Sequence, residues 1–273
     1  GSEMCIRDRI DSAKLENLPV GTQGSGYRWI DLDGEGLCGV LAEQSGGWYY
    51  KPNLGDCTFG PMRLVAPRPA MVTAAANRHQ FMDLAGNGSV DLVEFDGAAP
   101  GFHERDRDVG WKRHVPFASL PNIDWQDPNL RFVDLTGDGQ ADALITEQDV
   151  FTWYPSLNER GFSAACRSRL AADEDSGPRL VFADGEQTIF LADMCGDGLT
   201  DLVRIRNGEV CYWPNSGYGR FGRKVTLGHS SRFDSGDLFD PDRIRLTDID
   251  GSGPVDIIYL CLLYTSPSPR DPL

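Results

Sequence analysis

The chain has 273 residues, of which 40% are hydrophobic and 25% are charged, and this composition excludes an intrinsically disordered polymer. With 26 Lys and Arg against 41 Asp and Glu, the net charge is −15, which argues against a nucleic acid partner because a phosphate backbone is itself anionic. No apolar run reaches the roughly 18 residues that a membrane-spanning helix requires. The 31 glycines and 17 prolines favour many turns and short strands.

The two ends of the chain resemble translated sequencing-adapter DNA. One codon choice for residues 1–8 yields, on the opposite strand, codons for Leu262–Ser268. A natural domain is not expected to be encoded by the same DNA, in opposite orientations, at its two ends. We therefore assign residues 1–9 and 261–273 to an adapter-like artefact. We expect residues 10–260 to be native, and to be an internal, metagenomic-type fragment of a longer protein.

The native segment repeats one Asp- and Gly-rich pattern five times, near 31–41, 83–93, 134–144, 193–203 and 248–258. The first aspartates of successive copies lie 51 to 59 residues apart. A period of about 50 residues is typical of a four-stranded propeller blade. The sequence therefore predicts an all-β fold, a partial β-propeller of about four to five blades without a linker between separate domains.

Each copy reads as a hairpin, with an apolar stretch before and after a tight turn that contains two glycines. A third stretch carries aromatic residues and ends at Pro or Gly, which indicates a strand end, and a fourth, outer strand is expected to follow. These aromatic residues could form a binding rim or pack between blades, and their regular recurrence favours packing. They are Trp48, Tyr49, Tyr50, Trp153, Tyr154, Tyr212 and Trp213.

The turns offer oxygen ligands at the first, third, fifth and ninth positions, a pattern that suits Ca²⁺ with its six to eight oxygen ligands. The candidate metal ligands are Asp248, Asp250, Ser252 and Asp256 in the fifth copy, Asp134, Asp138 and Asp142 in the third, and Asp193, Asp197 and Asp201 in the fourth. Ca²⁺ is the one candidate cofactor. Three departures weaken a uniform metal site: Gly39 at a ninth position, Ala85 at a third position, and Cys195, whose thiol is soft for Ca²⁺.

The same aspartates have a structural alternative. An Asp that opens such a turn can accept hydrogen bonds from the turn's own amides, and no metal is then needed. The sequence leaves both interpretations open.

Catalytic chemistry has little support in the sequence. The five cysteines of the native segment have no CxxC spacing, so neither a zinc site nor a disulfide framework is indicated. The four histidines, His79, His103, His114 and His229, lie far apart in sequence, and we expect each at the surface or in a loop. No nucleophile or metalloprotease motif occurs, so we predict a protein that is not an enzyme, without catalytic residues.

Two stretches carry a specific resemblance, RFVDLTGDGQADALITEQDVFTWYPS and IFLADMCGDGLTDLVRIRNGEVCYWPNSGYGRFG. They resemble FG-GAP/VCBS-type propeller repeats. More closely, they are similar to the middle region of the B-component of insecticidal toxin complexes (Tc toxins), a family related to the Salmonella plasmid virulence B protein. The similarity is strongest over Pro121–Tyr259, and the stretch Asn207–Gly222 is its most specific part.

This resemblance implies a non-enzymatic docking and gating propeller. It would join a toxin-enclosing shell, built with the C-component, to a pore-forming A-component, in a complex assembled in the bacterial cytoplasm and secreted. The alternative is a Ca²⁺-dependent adhesion or glycan-binding propeller of the integrin-like or lectin-like type.

Overall fold

The computed structural model describes residues 27–44, 47–55, 58–65, 69, 79–106, 110–147, 150–183, 188–228, 232–236, 238–248 and 255–259. It confirms the predicted all-β propeller. Four four-stranded sheets follow one another along the chain, and a two-stranded sheet comes last. Within the described ranges, helical structure is limited to two short 3₁₀ turns, Asn158–Arg160 and Pro241–Arg243.

The first two blades each include a small accessory hairpin. Blade 1 contains β1 (Tyr27–Ile30), β2 (Gly39–Gln44), β3 (Gly47–Lys51) and β6 (Arg63–Leu64), with β4 (Asn53–Gly55) and β5 (Thr58–Phe59) pairing separately. Blade 2 contains β7 (His79–Met82), β8 (Asp91–Glu94), β9 (Gly101–His103) and β12 (Val115–Pro116), with β10 (Arg105–Asp106) and β11 (Gly110–Trp111) as the accessory pair.

Blades 3 and 4 are the more regular pair. Blade 3 contains β13 (Leu130–Val133), β14 (Asp142–Thr146), β15 (Val150–Tyr154) and β16 (Cys166–Arg169). Blade 4 contains β17 (Ile189–Ala192), β18 (Asp201–Arg206), β19 (Glu209–Trp213) and β20 (Val225–Thr226). The fifth hairpin consists of β21 (Ile244–Thr247) and β22 (Asp256–Tyr259).

The Asp- and Gly-rich pattern forms the turn between the first and second strands of each blade. In blade 3, β13 pairs antiparallel with β14 from Leu130 opposite Ile145 to Val133 opposite Asp142. Between them, Gly137 and Gly139 have φ angles of 80° and 81°. Side chains with a Cβ avoid this left-handed backbone, which explains why the pattern requires two glycines.

Side chains alternate along each strand, so each sheet has two faces, and the facing sheets of successive blades pack on one another. Four apolar clusters fill four successive junctions. Blade 1 meets blade 2 through Trp48, Tyr50 and Leu92; blade 2 meets blade 3 through Val93, Phe102 and Phe162; blade 3 meets blade 4 through Leu144, Trp153, Leu202 and Trp213; blade 4 meets the fifth hairpin through Val203, Tyr212 and Ile244.

The aromatic third strands therefore serve mainly in packing, as the sequence predicts. Trp48 is 1% exposed and Trp213 is fully buried. Burial of such large apolar surfaces is the main stabilising term of a junction between blades. Among the described residues, no helix is long and apolar enough to cross a membrane.

Candidate functional site: the aspartate–glycine turns

In the first four turns, the first aspartate accepts hydrogen bonds from the amides of its own turn. In blade 3, Asp134 Oδ1 accepts from the amides of Thr136 at 3.1 Å and Gly137 at 2.7 Å, and its Oδ2 accepts from Gly139 at 2.8 Å. Asp83 and Asp193 accept equivalent bonds in blades 2 and 4. The carboxylate thus offsets the amides that the tight turn leaves without backbone partners.

The ninth aspartate connects the turn to the segment that follows the third strand. Asp142 Oδ2 accepts from the Leu135 amide at 3.1 Å, and its Oδ1 accepts from the Ser156 amide at 2.7 Å. In blade 4, Asp201 likewise accepts from the amides of Met194 at 3.0 Å and Asn215 at 2.8 Å. One buried carboxylate therefore holds two separate loops at the same end of the blade.

Burial sets the protonation behaviour of these ninth aspartates. Desolvation raises the pKa of Asp91 and of Asp142 to about 6, although amide hydrogen bonds oppose the shift. Desolvation also raises the pKa of Asp201. Because a buried carboxylate is stable only when donors surround it, the two amides on Asp142 and on Asp201 are structurally necessary.

Blade 1 departs from the pattern and compensates with a different residue. Its ninth position is Gly39, and a Cβ there would lie 2.5 Å from the Tyr50 hydroxyl and would clash with the Lys51 carbonyl. The Tyr50 hydroxyl accepts from the Leu32 amide at 3.4 Å and donates to the Ile30 carbonyl at 3.2 Å. Leu32 stands where Leu135 stands in blade 3, so the tyrosine replaces the missing aspartate.

A third brace comes from the fifth position of the turn. Asp138 Oδ1 accepts from the Gln140 amide at 2.9 Å, and Asp197 Oδ1 accepts from the Leu199 amide at 2.9 Å. Asn87 makes the same bond to the Ser89 amide in blade 2, at 2.8 Å. An amide oxygen therefore serves this purpose as well as a carboxylate does.

The structure brings the predicted metal ligands together only in part. Among the described residues, one group of three ligand atoms within 4.8 Å of one another occurs, formed by Asp193, Cys195 and Asp197. Cys195 is a soft ligand in an otherwise hard set, which does not suit Ca²⁺. In blade 3 the predicted ligands are engaged by amides as described above. In the fifth copy, Asp248 and Asp256 are described, whereas Asp250 and Ser252 lie outside the described residues. Ca²⁺ binding therefore stays a prediction.

In blade 1 the third position of the turn is drawn into an ion-pair network. Asp33, 4% exposed, contacts the guanidinium groups of Arg63 in its own blade and of Arg105 in blade 2, the latter at 3.4 Å. Arg105 also stacks over Trp111, with its guanidinium carbon 5.2 Å from the ring centroid. This link between blades was not foreseen from the sequence, because the partners are far apart along the chain.

The loop after the third strand of blade 4 reaches back to blade 3. The Asn215 side chain donates to the Asp134 carbonyl at 2.9 Å, and the Tyr218 amide donates to the Leu135 carbonyl. Gly217 and Tyr218 have φ angles of 80° and 55°, which turn the chain toward the neighbouring blade. Within the specific stretch Asn207–Gly222, Asn215 and Tyr218 therefore link blade 4 to blade 3.

The expectation for the histidines was wrong for His79. This residue lies in β7, is 4% exposed, and packs against Trp48 with ring centroids 5.4 Å apart. His103 and His114, distant in sequence, have ring centroids 5.3 Å apart because β9 pairs with β12. His229 lies outside the described residues.

Comparison with known proteins gives structural matches alone. No protein-family model and no curated protein sequence matches the chain. The chain is similar to part of the Tc holotoxin pore of Photorhabdus luminescens, with 27% identity over 86% of this chain and a TM-score of 0.62. It also matches the TcdB2–TccC3 complex, with 22% identity over 85% of the chain and a TM-score of 0.50. A lectin from Agrocybe aegerita has a TM-score of 0.49, which is too low to support any argument about binding.

These matches cover a small part of the larger proteins. The chain spans 11% of the first structure's chain and 13% of the second. The second match, at its low identity, shows the fold alone, and the first supports similarity to a propeller of a toxin complex.

Proposed function

We propose that this chain is a docking and gating β-propeller of the toxin-complex B-component type, with FG-GAP/VCBS-like repeats and no enzymatic activity of its own. It would join a shell that encloses the toxin, formed with a C-component, to a pore-forming A-component in a secreted complex. The observation that carries this proposal is the match to the Tc holotoxin pore over 86% of the chain.

The arrangement of the blades supports a scaffold in preference to a catalyst. The buried ninth aspartates Asp142 and Asp201 each accept hydrogen bonds from amides of two loops. The third-strand tryptophans pack in the junctions between blades. A rigid module whose loops cluster at the ends of the blades suits contact with large protein partners.

The end of the blades that carries the turns is the best candidate for docking. It presents two exposed apolar side chains that follow third strands, Leu54 in the accessory strand β4 at 65% exposure and Tyr218 in a loop at 68%. The same end also carries the exposed fifth-position carboxylates of Asp138 and Asp197. A partner surface that is basic with apolar centres would complement this end.

A binding assay with the Photorhabdus pore-forming component tests the proposal. We expect saturable binding of this chain to the immobilised pore component. Tyr218→Asn, which retains a residue tolerant of positive φ, should weaken binding about tenfold, a typical loss for an interface aromatic. Val225→Ser, on outer strand β20, serves as the matched control and should leave binding unchanged.

A chimaera provides the functional readout. Residues 27–259 would replace the matching propeller segment of the Photorhabdus B-component, and delivery of the effector into target cells would be measured. A chimaera that forms its shell but neither docks nor delivers, together with absent binding by the isolated chain, would overturn the proposal. Ca²⁺-dependent binding to cells in place of docking would favour the adhesion alternative.

A further inference from the structure

A groove of about 670 Å³ lies between the first strands of blades 2 and 3. One wall is formed by β7 and the other by β13, and the lining also includes the segment before β13 and the turn residues Asp83 and Gly139. Each of these two strands is the terminal strand of its sheet. The volume is within the range of roughly 300–1,000 Å³ typical of small-molecule sites.

The groove has a rigid aromatic surface. The Trp125 ring, which lines the groove, stacks on the buried Phe95 with centroids 4.4 Å apart and planes 10° apart. Phe132, another lining residue, lies parallel to Trp125, with 4° between the planes and 6.5 Å between centroids. Because Phe95 also stacks on Phe132, the indole plane is held in place before any ligand arrives.

Polar groups with unused hydrogen-bonding capacity surround this surface. Asp127 uses Oδ1 to accept from the Asn129 amide at 2.8 Å, which leaves its second oxygen as an acceptor. The Arg131 guanidinium is not part of this set, because it lies over the Phe182 ring, 4.9 Å from the centroid, on the opposite face of β13. In the described part of the chain, the side-chain amides of Gln80 and Gln126 make no hydrogen bond, and both line the groove.

This set of groups selects among ligand classes. A lipid would require a wholly apolar lining, and a strongly anionic ligand would meet the Asp127 carboxylate. A sugar ring has an apolar face of C–H groups that stacks on an aromatic plane, and hydroxyl groups that both donate and accept. The side-chain amides of Gln80 and Gln126 and the second oxygen of Asp127 supply both kinds of partner.

We infer that the groove between β7 and β13 is a binding site for a short neutral carbohydrate. Trp125 provides the stacking surface, and Gln80, Gln126 and Asp127 bind the hydroxyl groups. The groove reaches the aspartate–glycine turns at Asp83 and Gly139 but includes neither Leu54 nor Tyr218, so it is a second binding activity and does not depend on the toxin-complex assignment.

Saturation-transfer NMR with glucose, galactose, mannose and their disaccharides tests the site on the full chain. We expect transfer to at least one of these sugars, and a change in tryptophan fluorescence when it is titrated. Asp127→Asn keeps the Oδ1 acceptor for Asn129 but converts the ligand-facing oxygen into a donor, so it should weaken binding about tenfold. Gln80→Ala should weaken it about threefold by the same reasoning.

Asp124→Asn is the matched control for the Asp127 variant. Asp124 belongs to the same segment, and its Oδ1 accepts a hydrogen bond from the backbone amide of Gln126 at 2.9 Å. It is not part of the groove lining. Its substitution should leave sugar affinity unchanged. Absence of transfer to every sugar, equal affinity of the Asp127 and Asp124 variants, or selective binding of peptides in place of sugars would each overturn the inference.

Discussion

The turns of blades 3 and 1 follow a similar course but are held by different residues. In blade 3 the Leu135 amide donates to Asp142 on the second strand. In blade 1 the corresponding Leu32 amide donates to Tyr50 on the third strand. The comparison shows that the turn needs an acceptor at one point in space, which either of two strands can supply. A turn that lacks the ninth-position aspartate can therefore still be held by an acceptor from another strand.

The largest effect should come from removing the aspartate brace of blade 3. Asp142→Ala leaves the buried amides of Leu135 and Ser156 without acceptors, and we expect a loss of about 2–4 kcal/mol in the free energy of unfolding at neutral pH. Urea denaturation followed by circular dichroism measures it. A loss below about 1 kcal/mol would mean that water satisfies both amides and that the aspartate is not the brace.

Restoring the motif in blade 1 should harm the protein. Gly39→Asp supplies the motif residue, but its Cβ would lie 2.5 Å from the Tyr50 hydroxyl and clash with the Lys51 carbonyl. We expect a destabilisation of about 2–3 kcal/mol from overpacking, seen as a lower melting temperature. Tyr50→Phe is the matched control and should cost about 1 kcal/mol through its lost hydroxyl. A stabilised Gly39 variant would contradict the compensation described here.

The Asp142 brace of blade 3 and the Tyr50 brace of blade 1 should also differ in their response to pH. Burial raises the pKa of Asp142 to about 6, whereas an unfolded Asp titrates near pH 3.9. The folded state therefore holds this proton more tightly, and the contribution to stability is full below about pH 4 and is lost as the pH rises through 6. Tyr50 stays neutral throughout, since burial raises its pKa to about 12.

Comparing variants at two pH values isolates this difference. The destabilisation caused by Asp142→Asn should shrink by about 1–3 kcal/mol between pH 4.5 and pH 7, because the wild-type carboxyl becomes charged over that interval. The cost of Tyr50→Phe should stay constant. Urea titrations at both pH values measure the two costs, and a cost of Asp142→Asn that grows toward pH 7 would rule out the assigned direction.

Much of this architecture could be predicted from local sequence. The two glycines of each turn and the repeat spacing indicated blades, because positive φ angles and strand alternation are local properties. The exchange between Gly39 and Tyr50 could not be predicted, since it depends on residues 11 positions apart meeting across a sheet. The ion pair of Asp33 with Arg105 and the hydrogen bond from the Tyr218 amide to the Leu135 carbonyl each join two blades. Sequence periodicity carries no information about such contacts.

The smallest effect should come from the fifth position, where the comparison between brace and metal ligand is sharpest. Asp138→Asn keeps the oxygen that accepts from Gln140, as Asn87 does for Ser89 in blade 2, so stability without metal should change by less than about 0.5 kcal/mol. The variant removes one carboxylate from the predicted Ca²⁺ set Asp134, Asp138 and Asp142. If the turn binds Ca²⁺, calorimetric titration of the chelator-treated wild type gives heat and a higher melting temperature, and Asp138→Asn weakens both. If the aspartates only brace the turn, Ca²⁺ changes the melting temperature of neither protein. The result separates the two roles because the substitution alters charge while it preserves the hydrogen bond.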